Sequence, residues 1–105
     1  MAYVMFQYDR PTDARQWHEY NGRVREWIAQ LLALPGAVSF MAYRSADGGS
    51  PHITTMLEFG TLDQARTATA SEPMKSVLQG LRAVGAIPRV LIVERSPFTP
   101  KPQRP

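Results

Sequence analysis

Gly60-Thr61-Leu62-Asp63-Gln64-Ala65, followed by Ser71-Glu72-Pro73-Met74, decides how this chain is read. Thr61 with Gln64 is a capping box, in which the threonine hydroxyl accepts from the helix's free amides and the glutamine side chain reaches back. Ser71-Glu72-Pro73 is a second start, with serine as cap and proline where a missing N–H is harmless. The segment therefore predicts a helical region in two pieces, broken near Ser71. The second piece carries the apolar stripe Met74, Val77, Leu78 and Leu81.

Outward from that segment the chain alternates regularly. Ala2 to Tyr8 is short, aromatic and β-branched, and stops at Asp9-Arg10-Pro11, so it predicts a strand and a turn. Thr12 or Asp13 then caps a long helix that ends at Leu34-Pro35-Gly36. On that helix Trp17, Val24, Ile28 and Leu31 fall within about 40° of one direction, with Asn21 among them. Ala37 to Arg44 and Ile53 to Phe59 read as strands joined by the hairpin loop from Ser45 to Pro51. Arg89 to Arg95 is a buried strand by composition. Residues 96–105 hold four prolines and predict a tail, or a strap over a partner subunit.

The order is thus β-α-β-β-α-β, which predicts an α+β, ferredoxin-like domain over residues 1–95 with a four-stranded antiparallel sheet and both helical regions on one face. Val38 and Phe40 against Met41 and Tyr43, and Leu57 and Phe59 against Met56, are apolar at both alternating positions. A sheet wet on one face shows cleaner alternation, so the second face is expected to be covered, most simply by a homodimer.

Composition narrows the function. With 105 residues there is room for one core, and 44% hydrophobic residues are enough to fill it. No cysteine means no disulfide, thiol nucleophile or thiolate ligand. The chain shows neither a signal-peptide pattern nor an apolar run of membrane-spanning length, so a cytoplasmic location off the membrane is expected. The net charge is +3, and Arg15, Arg23 and Arg25 interleave with Glu19 and Glu26 instead of forming the basic stripe of a nucleic-acid binder.

No catalytic or metal-binding motif is present. His18 reads as a helix-flank residue and His52 as an exposed loop end, and neither pairs with metal-ligand spacing. The candidate pocket residues are Gln7, Trp17, Tyr20, Asn21, Met74 and Leu78. Asn21, read as facing the core, must bond a backbone group or line a cavity holding ligand or water. Gly22 weakens the helix beside it, which fits a locally opened site. Gln7 is expected to face the same region. The small residues Ala65, Ala68 and Ala70 leave space between helix and sheet, where Trp17, Tyr20, Trp27, Met74 and Leu78 form apolar walls.

The phrase Leu57-Glu58-Phe59-Gly60-Thr61-Leu62-Asp63-Gln64-Ala65, the start at Ser71-Glu72-Pro73-Met74 and the element order together resemble the dimeric α/β-barrel superfamily, in particular antibiotic-biosynthesis monooxygenase-like domains. The resemblance implies a homodimer with a pocket between helices and sheet in each subunit. It implies activities that include cofactor-free oxidation of aromatic phenols, haem degradation, lactone isomerisation and polyketide cyclisation. The haem-degrading branch carries an asparagine, a tryptophan and a haem-ligating histidine where Gln7, Ala68 and Leu78 stand, so that branch does not match. The cyclase branch relies on a histidine that the second helical region lacks. What remains is a cofactor-independent monooxygenase acting on a small aromatic or phenolic compound, or a non-catalytic binding or stress-related barrel with the same fold. No cofactor is expected in either.

Overall fold

The computed structural model describes all 105 residues. Strand β1 (Ala2–Tyr8) leads to helix α1 (Ala14–Leu32), strands β2 (Ala37–Arg44) and β3 (Ile53–Phe59), helices α2 (Leu62–Thr69) and α3 (Glu72–Ala83), and strand β4 (Arg89–Glu94). The four strands form one antiparallel sheet in the order β2-β3-β1-β4. This is the ferredoxin-like arrangement expected from the sequence. No helix is long and apolar enough to cross a membrane.

Local chemistry sets the boundaries. Asp13, not Thr12, caps α1, its carboxylate accepting from Arg15 N at 3.0 Å. The capping box of α2 is complete: Thr61 Oγ1 accepts from Gln64 N, and Gln64 Oε1 accepts from Thr61 N, both at 3.1 Å. At the break, Ser71 Oγ donates to Ala68 O at 2.6 Å and accepts from Met74 N at 3.4 Å. One hydroxyl thus serves the end of α2 and the start of α3.

Strand parity separates the two faces of the sheet. Ala2, Val4, Phe6 and Tyr8 of β1 are buried, as are Thr55, Leu57 and Phe59 of β3. Tyr20, Trp27 and Leu31 of α1, Ala65 and Ala68 of α2, and Met74, Val77 and Leu81 of α3 pack onto that face. No helix covers the other face. Across it runs a row of paired residues, Met41–Met56–Met5–Leu91, with Ser39, Glu58, Gln7, Thr54 and Arg89 in the flanking rows. Met41 and Tyr43 there are 55% and 57% exposed.

Four expectations are corrected. Asn21 is solvent-exposed. The large rings of Tyr20 and Trp27 take the core, turning the buried axis of α1 about 100° away from Asn21. Gln7 lies on the uncovered face, because its parity on β1 is opposite to that of Phe6 and Tyr8. Gly22 does not open α1, which runs unbroken past it. Ala65 and Ala68 leave no gap; they are fully buried or nearly so, because short side chains let α2 sit close to the sheet.

Candidate functional site

Aromatic residues converge where the ends of β1, β2 and β3 meet the first half of α1. Tyr8 is the last helix-facing residue of β1, and Tyr20 lies above it on α1. Their hydroxyl oxygens are 2.6 Å apart, and both side chains are buried. Trp17 stacks on Tyr20 with ring centroids 5.2 Å apart and planes at 10°, and Trp27 tilts against its other side at 5.8 Å. The guanidinium of Arg10 sits 5.8 Å over Trp17 and that of Arg23 4.9 Å over Trp27. Trp27 is wedged onto α3 at Gly80, where a Cβ would lie 2.8 Å from its Nε1. That indole N–H is buried without an acceptor.

Burial pushes the Tyr8 phenol far above its ordinary value, and the hydrogen bond with Tyr20 adds to the shift. Burial also raises Tyr20, while the bond from Tyr8 works the other way. The pair is therefore neutral across the physiological range, and either hydroxyl can be the donor. Two phenolic protons share one hydrogen bond, so one of the two O–H groups has no protein acceptor.

Two adjoining spaces open from the pair and share Tyr20, Ala42 and Ile53 as walls. The inner one is an apolar cavity of about 60 Å³ between α1, α3 and the sheet, bounded by Phe6, Tyr8, Val24, Trp27, Phe40, Thr55, Val77 and Leu81 among others. The outer one is a groove of about 850 Å³ lined by Arg10, Trp17, Tyr43, Arg44, Ser45 and His52.

The loop forming one bank of the groove is held by two aspartates. Asp9 Oδ1 accepts from Ser50 Oγ at 2.6 Å and from His52 N at 3.3 Å, tying the loop to the end of β1. Asp47 Oδ1 accepts from Ser45 Oγ at 3.0 Å and Gly49 N at 3.1 Å, folding the loop on itself. These bonds hold both carboxyls below their usual range: Asp9 chiefly through Ser50, Asp47 chiefly through the Gly49 amide. His52 Nδ1 accepts from Arg10 N at 3.2 Å and lies 3.6 Å from Asp9 Oδ1. A backbone amide can only donate, so neutral His52 carries its proton on Nε2.

Of the residues predicted for a pocket, Trp17 and Tyr20 meet here. Asn21 faces solvent and Gln7 the opposite side of the sheet. Met74 is fully buried and Leu78 packs on the core, but neither lines the cavity or the groove. Tyr8, Arg10, Arg44 and His52 were missed. Parity supplied a signal for Tyr8, which shares its strand face with Val4 and Phe6. No local signal existed for Arg10, Arg44 and His52, which are gathered by strand pairing and loop closure. His52 is half-buried against the groove and not the exposed loop end expected. No three His, Asp or Glu side chains converge as a metal-binding group.

No family model matches the chain, and no curated protein matches it in sequence. Solved structures do. An EthD-family protein of Bacillus halodurans C-125 superposes with a TM-score of 0.70 at 16% identity, covering 91% of this chain and 99% of its own. SnoaB, a cofactor-independent oxygenase from Streptomyces nogalater, gives a TM-score of 0.65 at 17% identity over 95% of each chain. A candidate antibiotic biosynthesis monooxygenase from Deinococcus radiodurans gives 0.65 at 10% identity, covering 91% of this chain and 93% of its own. The chain therefore has the fold of the antibiotic biosynthesis monooxygenase-like α/β proteins. At these identities the likeness carries the fold and not the activity.

Proposed function

We propose that this chain is a small cofactor-independent monooxygenase acting on an aromatic or phenolic compound, as a cytoplasmic homodimer. The observation that carries this reading is the buried Tyr8–Tyr20 pair, with one uncommitted phenolic O–H where an apolar cavity meets an aromatic-walled groove. An electron-rich phenol can itself supply electrons to dioxygen. The protein then has to orient it, exclude water and hydrogen-bond its oxygens. The fold shared with SnoaB agrees with this reading.

Volume decides where such a substrate sits. An aromatic ring needs a cavity of about 150 Å³. The inner space, about 60 Å³, is too small for a ring and suits a diatomic gas or a water. The ring is therefore assigned to the groove, against Trp17 and Tyr20, with its reacting edge toward the inner cavity.

The uncovered sheet face supports the homodimer. Its methionine row is apolar, and Glu58 Oε2 beside it is buried without a donor, although Ser39 Oγ serves the other oxygen at 2.9 Å. A second copy packed here covers the apolar row and can bring that donor.

One observation favours a second reading, non-catalytic binding. The cavity is lined by no histidine, lysine or carboxylate, and both of its phenols are raised. Oxygen consumption with a broad panel of phenols, run beside tryptophan fluorescence, separates the two. The enzyme reading expects quenching and oxygen uptake with at least one compound. Quenching without uptake supports the binding reading, and neither response sinks both.

A further inference from the structure

The groove has a charge pattern that an uncharged phenol would leave unused. Arg10 and Arg44 both line it, and no acidic residue does. Neither guanidinium has a carboxylate within ion-pair distance anywhere in the chain; the ion pairs present belong to Arg15, His52 and Lys75. The two acids of the adjoining loop and strand end have other partners. Asp9 is turned to Ser50 Oγ and His52 N, and Asp47 to Ser45 Oγ and Gly49 N.

The groove's donors are also placed by the fold. Arg44 pairs across the sheet with Ile53, and Ile53 with Tyr8, so the three form one row on the helix-facing side. With two strand spacings between them, Arg44 and Tyr8 have backbones about 10 Å apart. Arg10 follows just beyond Tyr8, its guanidinium held over the Trp17 ring and its backbone N–H on His52 Nδ1. His52 is left to offer Nε2–H. Two cationic forks and the His52 Nε2 edge thus border a stacked aromatic floor formed by Trp17 and Tyr20.

We propose that the groove selects an aromatic carboxylate: the ring lies against Trp17 and Tyr20, and the carboxylate is taken by Arg10 and Arg44. Planar guanidinium forks match a carboxylate in shape and charge, which a hydroxyl does not. The proposal rests on the groove being the ligand site, and it names the chemical class that site prefers.

Calorimetric titration of the full chain with 3-hydroxy-2-naphthoate and with 2-naphthol tests it, since the two share a ring system and differ in the carboxylate. The naphthoate is expected to bind at least about tenfold more tightly. Arg44→Gln, at a side chain with no ion pair to lose, is expected to weaken the naphthoate about fivefold and leave the naphthol unchanged. Arg10→Gln should do the same, and Arg89→Gln, on the opposite face, should change neither. Equal affinity for the two compounds, or equal losses in Arg44→Gln and Arg89→Gln, overturns the carboxylate preference and leaves the groove as an aromatic site. Binding of neither compound overturns the groove as well.

Discussion

Tyr8 and Tyr20, from the first strand and the first helix, hold their hydroxyl oxygens 2.6 Å apart in the core, with ring planes at 63°. The contact pins α1 to the sheet at the point where cavity and groove meet. It also commits one phenolic proton and leaves the other free. Truncating either partner orphans the other's hydroxyl. Tyr8→Phe and Tyr20→Phe are each expected to destabilise the fold by about 1–2 kcal/mol in urea unfolding. The double variant should cost clearly less than the sum, because no buried hydroxyl is then left unpaired. Additive losses would show that the hydrogen bond contributes nothing.

The same pair makes the fold sensitive to alkali. Both phenols are raised in the folded chain above the ordinary value of 10.0. The unfolded chain releases these protons first, so the stabilisation is complete below pH 10 and is lost as pH rises above it. Ultraviolet absorbance should show Tyr8 and Tyr20 ionising only as the chain unfolds. The double Phe variant should lose that delayed step.

Glycine-to-alanine changes should have opposite signs in two helices. At Gly80 a Cβ meets Trp27 Nε1 at 2.8 Å, with Cε2 and Cζ2 at 3.1 Å, so Gly80→Ala is expected to cost about 1–3 kcal/mol and to shift tryptophan emission. At Gly22 nothing lies within 4 Å, and Gly22→Ala is expected to stabilise by about 0.5–1 kcal/mol. Thermal unfolding of the two variants checks both.

Asp9 ties the groove's loop to β1. Asp9→Ala is expected to speed exchange of the His52 amide, which donates to Asp9 Oδ1, while the amides of α3 stay protected. Because the Asp9 carboxyl is held below 3.8, the tie is present above that pH and fails as acid protonates it. Unchanged His52 exchange in the variant would rule out the tie.

Met41, on the edge strand β2, ends the apolar row across the uncovered sheet face and is largely exposed. Met41→Glu should leave the circular dichroism of the fold intact and convert a dimer to monomer in sedimentation. A wild-type chain that sediments as a monomer removes the basis for the homodimer.

The outward turn of Asn21 has a plain physical cause. On α1 the residues Trp17, Val24 and Ile28 drew the apparent apolar axis toward Asn21. The two rings that occupy the core, Tyr20 and Trp27, lie on the other side of that axis and turn Asn21 outward. Helical periodicity gives an apolar stripe about 100° wide, and which residue beside its edge wins the interior depends on what faces it. Gly80 is the facing surface that admits the Trp27 ring.

Caps, breaks and strand parity involve neighbours along the chain, so Thr61 with Gln64, Ser71 with Met74 and the alternation in β1 were readable as letters. They determined the elements, their order, the broken second helical region and the two-sided sheet. The groove was decided only in three dimensions. Asp9 reaches Ser50 across 41 residues, and Tyr8, Ile53 and Arg44 come into one row through strand register. No local pattern encodes either meeting, because each follows from the pairing of distant segments. That pairing makes two scattered arginines and a loop histidine the rim of a groove beside the Tyr8–Tyr20 pair.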